Sequence, residues 1–360
     1  DALEELTVGC EIGEDLFSLV PPAQNHVMAG ATIIANLSAS GEMVAADEYR
    51  QMAVVTTSKR LSAGYILSGA GEGESTQDLV FFGHKLIAEN GNLLSEVLQQ
   101  HSEYLGTHNC DKKELPILVK LIDAEKDLSV QVHPDDEYAK RLENNSFGKT
   151  EMWYVLDSRN NTELIFGFNK DLSRDELKKH LAEGSLEKHL QKFNIKKNDV
   201  FYIEAGTVHG ICSGTLIAEI QQSSNCTYRL YDYDRVDKNG KKRELHIQKA
   251  IEVASLKGNA NTKQPLRVLK YQRGCANELI CRCKYFQVER MLVNTTLNRS
   301  MVAFKTDYTT FKVLLCVEGC GVLFGKDEVI NFVKGDCIFV PANSVDIKIH
   351  GIAQFLCVGC

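Results

Sequence analysis

Short apolar segments separated by glycine-containing turns dominate the second half of the chain. From residue 199 onward they follow one another closely, with one helical pattern at residues 247–254. Many short strands with such turns are typical of β-sandwiches and barrels. We therefore predict a mainly β fold for this region.

A weak internal repeat indicates two related β-domains. NDVFYIEAGTVH (198–209) resembles GDCIFVPANSVD (335–346), with Asp199 matching Asp336 and His209 falling opposite Asp346. Each copy reads as a turn, a short strand and a turn of small residues. Because the first copy ends on a histidine and the second on an aspartate, we predict a metal site only in the first.

In the part of the chain between the N-terminal region and residue 199, helical patterns alternate with strand patterns. The predicted helices cover residues 93–104 and 135–143, and the predicted strands cover 116–132, 151–157 and 162–168, the last two paired with each other. Ser173 can cap a helix that stops at Gly184, and residues 185–193 continue the helical pattern. We expect a helical insertion near residues 171–194.

Residues 1–92 differ from the rest in pattern and charge. They hold four Lys and Arg against thirteen Asp and Glu, whereas the remainder is nearly balanced. Strands are predicted at residues 31–37, 64–67 and 79–82, and a helix at 47–62. This alternation is typical of α/β structure.

The apolar patterning and composition bear on the class of protein. No apolar run reaches the roughly 18 residues of a membrane helix, and no signal-peptide pattern opens the chain. We therefore expect a cytoplasmic protein whose twelve cysteines are reduced thiols. The net charge of −7 gives no support to nucleic-acid binding. We expect a monomer or weak homo-oligomer without membrane contact.

Four polar residues have a pattern that fits a metal site. Gln131 and His133 end a strand-like run, LSVQVH, whose alternation places both on one face. Glu151 begins the next predicted strand, and His209 ends the first repeat. Two imidazoles, a carboxylate and an amide oxygen suit zinc with an open position for water or substrate. On spacing alone, histidines packed in a core or loop are the favoured interpretation.

Longer motifs resemble the type I mannose-6-phosphate isomerases in their short bacterial form, over about residues 93–360. The matching stretches are PILVKLIDAEKDLSVQVHPDDEYA (116–139), GKTEMWYVLD (148–157), EAGTVHGI (204–211) and AEIQQSSNCTYRLYDYDR (218–235). The resemblance implies cupin/jelly-roll β-sandwich domains and one Zn²⁺ bound by Gln131, His133, Glu151 and His209.

The same resemblance implies an aldose–ketose isomerase that interconverts mannose 6-phosphate and fructose 6-phosphate through an enediol-type intermediate. Arg229 and Glu219 fall on active-site positions of the family, and Lys149 lies two residues before a ligand. We expect Arg229 to stabilise negative charge and Lys149 to lie near the sugar phosphate. The base stays open between Glu219, a zinc-bound water and a ligand side chain. Glu204 and Asn225 replace a proline and an acidic residue of the family.

Residues 9–92 instead resemble part of the nitrilase-type glutaminase domain of glutamine-dependent NAD synthetases. The matching stretches are GCEIGEDLF (9–17), GATIIANLSAS (30–40) and YILSGAGEGESTQDLVFFGHKLIAENG (65–91). Gly13 occupies the position of the cysteine nucleophile, so we expect no amidase activity. We also expect residues 1–92 not to complete the isomerase β-sandwich.

The sequence thus predicts three segments. They are a partial nitrilase-like α/β segment (1–92), a catalytic metal-binding cupin domain (93–265) and a C-terminal cupin domain without metal (266–360). The leading function is the isomerase. The alternatives are a catalytically silent cupin that binds metal or sugar phosphate and, less favoured, an inactive glutaminase fragment.

Overall fold

The computed structural model describes residues 7–12, 21–38, 64–69, 75–76, 79–80, 94–144, 146–236, 240–258, 268–296, 300–326 and 329–360. The chain divides into two units, Asp1–Ile87 with Val236–Lys241, and Ala88–Arg235 with Lys242–Cys360. The predicted boundaries at residues 92 and 265 lie outside the described residues and stay predictions.

The first unit contains a small parallel sheet of α/β type. Its strands β1 (Val8–Ile12), β2 (Ile33–Ser38) and β3 (Gly64–Gly69) lie in the order β1-β2-β3. Helix α1 (Pro22–Met28) follows β1 in the chain, and its Ala23 packs with Ile34 of β2. The helix lies in the crossover that a parallel pair requires.

Two of the strands predicted in this region are confirmed by β2 and β3. Strands β4 (Ser75–Thr76) and β5 (Leu79–Val80) form a separate antiparallel pair, in agreement with the strand predicted from residue 79. The helix predicted at residues 47–62 lies outside the described residues.

The second unit begins with a sandwich of two antiparallel sheets. Its strands in the described part of the chain are β6 (Ile117–Ala124), β7 (Val130–Val132), β8 (Glu151–Ser158), β9 (Glu163–Phe168), β10 (Leu190–Asn194), β11 (Val200–Ile203), β12 (His209–Ile211), β13 (Thr215–Gln222) and β14 (Tyr228–Tyr231). One sheet has the order β10-β9-β12-β7-β14 and the other β11-β8-β13-β6. All of these strands lie after residue 92.

Short helices accompany this sandwich. They are α2 (Leu94–Gln100), α3 (Asp136–Leu142), α4 (Arg174–Ala182) and α5 (Ile247–Val253), with 3₁₀ turns at Ser102–Leu105, Thr107–Asn109 and Leu186–His189. Ser173 caps α4 in a capping box with Glu176, and Gly184 follows the helix with a φ of 65°. The predicted cap and stop are therefore confirmed.

The predicted helical pattern after residue 184 is wrong in its second half. Residues Leu190–Asn194 form β10, which pairs with β9. Residues 185–193 contain no Gly or Pro that would stop a helix, but pairing with an available sheet edge overrides local propensity.

The predicted pairing between β8 and β9 is also wrong. Strand β8 pairs with β11 and β13, whereas β9 pairs with β10 and β12. The chain crosses from one sheet to the other between them, through a turn in which Asn161 has a φ of 62°. The two strands therefore contribute Trp153 and Leu164 to the same inter-sheet core from opposite sides.

The C-terminal part of this unit is an eight-stranded antiparallel sheet. Its strands are β15 (Val268–Gln272), β16 (Cys275–Arg282), β17 (Gln287–Asn294), β18 (Val302–Phe304), β19 (Lys312–Phe324), β20 (Val329–Val333), β21 (Cys337–Val340) and β22 (Ile347–Gly359). The order is β15-β16-β17-β22-β19-β20, with β18 on β22 and β21 on β19. Apolar side chains such as Leu314, Phe332 and Phe355 fill its interior.

The C-terminal domain covers the outer face of the four-stranded sheet. Met152 and Tyr154 of β8 share one buried cluster with Phe286, Phe311 and Leu356 of the C-terminal domain. Burial of a large apolar side chain contributes about 1.5–3 kcal/mol, so this shared core holds β8 firmly against the second domain.

The predicted repeat is visible in the turns that precede β11 and β21. Asn198 and Gly335 both adopt left-handed backbone conformations, with φ values of 74° and 101°. The next residue in each copy is an aspartate whose Oδ2 accepts a backbone N–H, from Lys196 at 2.9 Å and from Val333 at 2.7 Å. The same side-chain turn therefore starts the same strand in both domains.

All twelve cysteines are free thiols. Cys357 and Cys360 have the C-x-x-C spacing that is typical of metal and redox sites. Burial raises the pKa of both thiols to about 12, opposite to the depressed values of reactive cysteines. We interpret this pair as structural. None of the helices in the described ranges has the length and apolar character of a membrane span.

Candidate metal centre

Strand β7 places the first two candidate ligands. Its valines, Val130 and Val132, are fully buried in a cluster with residues of α4 and α5. Because side chains alternate along a strand, the half-buried Gln131 lies on the other face, toward the four-stranded sheet. His133 is the first residue after the end of β7, and 1% of its surface is exposed.

The neighbouring strands place two more polar side chains beside Gln131. In the sheet register Gln131 is paired with His209 of β12 and with Arg229 of β14. Directly opposed residues in an antiparallel sheet have their side chains on the same face. An imidazole, an amide and a guanidinium therefore form one row across three strands.

Glu151 of the opposite sheet completes a buried cluster with the two histidines. It is the first residue of β8 and has no exposed surface. Its Oε1 lies 3.2 Å from Nε2 of His209, and its Oε2 lies 3.5 Å from Nε2 of His133. One ligand atom from each residue lies within 4.8 Å of the others. Donors that converge in this way are what a metal ion requires.

Backbone carbonyls fix both imidazoles with Nε2 directed at Glu151. Nδ1 of His133 lies 2.9 Å from the carbonyl oxygen of Cys226, and Nδ1 of His209 lies 2.8 Å from that of Thr207. A carbonyl oxygen only accepts, so Nδ1 carries the proton and Nε2 of the neutral ring has a free lone pair. Histidine ligands in metalloproteins are oriented in the same way.

The electrostatic surroundings keep His133 available as a ligand. Burial, followed by the positive charge of Lys149, lowers the pKa of His133 to about 3. The imidazole is therefore neutral at physiological pH, which is the form that binds metals.

The donor atoms of the cluster fit a bound cation. Nε2 of His133, Nε2 of His209 and Oε1 of Glu151 are buried and make no hydrogen bond within the described residues, whereas Oε2 of Glu151 has the Lys149 ammonium at 3.1 Å. A buried polar atom without a partner costs about 1–3 kcal/mol. A single divalent ion would satisfy these atoms at once. Gln131, which is paired with His209 in the sheet register, is a further candidate ligand on the same face.

Lys149 adds a buried positive charge beside the cluster. Its Nζ lies 3.1 Å from Oε2 of Glu151, and 5% of its surface is exposed. Burial disfavours the charged form of Lys149. The negative charges of Glu151 and Glu219 outweigh this effect and raise the pKa of the ammonium. Burial likewise opposes the charge on Glu151, yet the Lys149 ammonium holds the pKa of this carboxyl well below its usual range.

Glu219 lies on the same face of the four-stranded sheet as Glu151. The two strands are adjacent, and Glu151 is paired with Gln221, two residues from Glu219. Oε2 of Glu219 accepts a hydrogen bond from Nε1 of Trp153 at 2.9 Å, and Oε1 accepts one from Nζ of Lys120 at 3.3 Å. Lys120 also donates to Oε1 of Gln221 at 2.8 Å.

Lys120 is a site residue that the sequence interpretation missed. It lies in the middle of β6, in the apolar run ILVKLIDA, and Ile122 on the same side packs in the inter-sheet core. A charged side chain on the core-facing side of an apolar strand is costly unless it is paired. That conflict between residue type and position is the signal that marks it.

Arg229 is held at two of its three guanidinium nitrogens. Nε donates to Oγ of Ser129 at 3.2 Å, and NH1 donates to the carbonyl oxygen of Glu244 at 2.8 Å. Ser129 in turn donates to Oδ1 of Asp232 at 2.5 Å, and Arg235 pairs with the same carboxylate. This network fixes the direction of the Arg229 side chain.

A cavity of about 440 Å³ lies beside the loop that carries Cys226. Ser146, Ser223, Asn225 and Thr227 are among the residues that line it. This volume lies within the range of about 300–1,000 Å³ that is common for small-molecule sites.

Comparison with known proteins assigns most of the chain to one family. Family profiles described as "Phosphomannose isomerase type I, catalytic domain" and "Mannose-6-phosphate isomerase, cupin domain" match residues 85–167 and 277–359. A mannose-6-phosphate isomerase from Streptococcus mutans is 43% identical over 248 residues, which are 69% of this chain and 74% of that protein.

The N-terminal resemblance is also confirmed, over a short stretch. A glutamine-dependent NAD(+) synthetase from Mycobacterium leprae is 45% identical over 91 residues, which are 25% of this chain and 13% of that protein.

The crystal structure of the mannose 6-phosphate isomerase from Bacillus subtilis is 34% identical and matches with a TM-score of 0.68 over 75% of this chain and 82% of that one. With this agreement in sequence and fold, the chain belongs to the type I mannose-6-phosphate isomerase family.

Proposed function

We propose that this protein interconverts mannose 6-phosphate and fructose 6-phosphate, with one Zn²⁺ bound by Gln131, His133, Glu151 and His209. The observation that carries the proposal is the buried cluster of two imidazoles and the Glu151 carboxylate, in which both Nε2 atoms and Oε1 of Glu151 make no hydrogen bond within the described residues. The cluster lies in a sandwich that has the fold of the isomerase family.

Zinc is the metal that we propose because the donors are two imidazole nitrogens and two oxygens, a set that suits a borderline cation. When bound, zinc supplies a Lewis acid that polarises the oxygens at the reacting end of the sugar.

Three cations of the chain can bind the anionic substrate and stabilise negative charge that develops on it. Lys149 is next to the metal cluster, Lys120 lies beside Glu219, and Arg229 shares a sheet face with Gln131. We assign charge stabilisation to Arg229 because its guanidinium is fixed by Ser129 and by a backbone carbonyl. Fixed donors of this kind need no reorganisation during the reaction.

We favour Glu219 as the base that accepts the proton transferred between C1 and C2 of the sugar phosphate. It is a buried carboxylate outside the ligand set. Trp153 and Lys120 donate to its two oxygens and hold its orientation.

We place this reaction in the cytoplasm. The twelve free thiols support this location, since free cysteines persist in reducing compartments.

The test is a coupled assay of fructose 6-phosphate formation from mannose 6-phosphate. Protein stripped with a chelator should be inactive, and addition of zinc should restore turnover. Zinc-loaded protein that binds the sugar phosphate without turnover would favour the silent binding protein instead.

A further inference from the structure

The segment of residues 148–151, called here the ligand segment, contains Lys149 and Glu151 and is held by side chains of two other elements. The backbone N–H of Gly148 donates to Oδ1 of Asp136 at 3.0 Å. The N–H of Thr150 donates to Oε1 of Gln222 at 2.8 Å. Two of its backbone donors are therefore fixed by side chains from α3 and β13.

The ligand segment also packs tightly against the start of α3. A Cβ added to Gly148 would lie 2.5 Å from backbone atoms of Asp135 and Asp136. The N–H of Lys149 donates to the carbonyl oxygen of Pro134 at 3.0 Å. A shift of the start of α3 would consequently shift the Lys149 ammonium.

Asp136 connects this arrangement to the C-terminal domain. Its Oδ1 accepts from Nε2 of Gln222 at 3.0 Å, and its Oδ2 accepts from the hydroxyl of Tyr285 at 2.7 Å. Tyr285 lies between β16 and β17, and its side chain packs against the core that the two domains share. The 80% exposed Lys284 is 3.8 Å from the same carboxylate and is screened by water.

We propose that Tyr285 is a positioning residue for the metal centre. Its hydroxyl donates to Asp136 and fixes that carboxylate. Asp136 accepts directly from Gly148, and it is connected to Thr150 through Gln222. Tyr285 therefore sets the position of the ligand segment. The C-terminal domain thereby contributes to a reaction that takes place in the other domain. This inference rests on the proposed function, because it takes Glu151 as a metal ligand and Lys149 as a substrate-binding cation.

The variant Tyr285→Phe removes the hydroxyl and keeps the ring in the shared core. Partners that touch a metal ligand directly change metal affinity or activity by about 10- to 100-fold. Tyr285 acts through Asp136, so we expect a smaller effect, a rise of about 3- to 10-fold in the zinc dissociation constant with a similar fall in kcat. Zinc affinity is measured on metal-free protein by competition with a chromogenic chelator, without substrate, so the result is independent of whether the chain isomerises sugars.

Two control variants separate positioning from general loss of stability. Tyr308→Phe changes a tyrosine that is 68% exposed and should leave zinc affinity unchanged. Val313→Ala makes a cavity in the shared core without removing the Tyr285–Asp136 bond, and it should lower thermal stability but not zinc affinity. An equal loss of zinc affinity in Val313→Ala would overturn the proposal, as would unchanged affinity in Tyr285→Phe.

A double-variant cycle tests the route through Asp136. If Tyr285 acts through this carboxylate, Tyr285→Phe should change zinc affinity much less in an Asp136→Asn background than in the unaltered protein. Fully additive effects of the two substitutions on zinc affinity would contradict this route.

Discussion

Oε1 of Glu151 lies 3.2 Å from Nε2 of His209, although the two residues belong to different sheets of the sandwich. The cluster therefore exists only when the two sheets have closed on each other. Binding of an ion at this cluster would therefore be linked to closure of the sandwich, since an ion that binds only the closed form stabilises it.

Removal of the Glu151 carboxylate charge should destabilise the metal-free protein. Glu151→Gln leaves the Lys149 ammonium buried without its partner, and breaking a buried ion pair in this way costs about 3–5 kcal/mol. Urea unfolding in the presence of a chelator measures the change in the free energy of unfolding. The control Glu125→Gln breaks an exposed pair with Arg159 and should cost less than about 1 kcal/mol. Similar values for both variants would refute a buried ion pair at the centre.

Loss of the Arg229 guanidinium should lower turnover without loss of metal. Arg229→Ala removes a fixed donor for negative charge, and such donors are worth about 10²- to 10³-fold in kcat. The assay compares kcat and zinc content with those of Arg159→Ala, which changes an exposed arginine. Unchanged turnover in Arg229→Ala would exclude the assigned role.

Lys120→Met should weaken catalysis through both Glu219 and the substrate. The hydrogen bonds that Lys120 makes to Glu219 and Gln221 are lost, and a bond to a charged group contributes about 1.5–3 kcal/mol. We expect kcat/KM to fall by about 10- to 100-fold, a factor of ten for each 1.4 kcal/mol. Lys305→Met, a change at an exposed lysine that pairs with Asp346, should keep normal kinetics. Normal kcat/KM in Lys120→Met would remove this lysine from the site.

The N-terminal segment should have no glutaminase activity. Gly13 stands at the nucleophile position of the nitrilase-type motif and offers no thiol. Ammonia release from glutamine should not exceed that of a buffer blank, and Gly13→Cys alone should not restore it. Ammonia above the blank from the unaltered chain would show that this interpretation is wrong.

Local periodicity was sufficient to predict part of the site. Alternation in LSVQVH places Gln131 and His133 on one face because a strand repeats every two residues whatever surrounds it. The turns that precede β11 and β21 were also predictable, since the conformation of a turn is determined mainly by the residues within it. Ser173 and Gly184 marked the ends of a helix for the same reason.

The remaining relationships depend on contacts between distant elements. Two strands with a short connection have the same local pattern whether they pair or cross between sheets, so the crossing between β8 and β9 was not predictable. The same limit applies to β10, where an available sheet edge decided the structure. Lys120 and Tyr285 meet their partners Glu219 and Asp136 across strands and domains, and no local pattern records such contacts.

The zinc content of dialysed protein tests the central claim most directly. After loading with zinc and dialysis, the unaltered chain should retain about one equivalent, as expected for a single site with four ligands. His209→Ala removes one buried ligand, so it should retain almost none and have no isomerase activity in the coupled assay. A full equivalent of zinc in the dialysed His209→Ala protein would contradict the assignment of the metal centre.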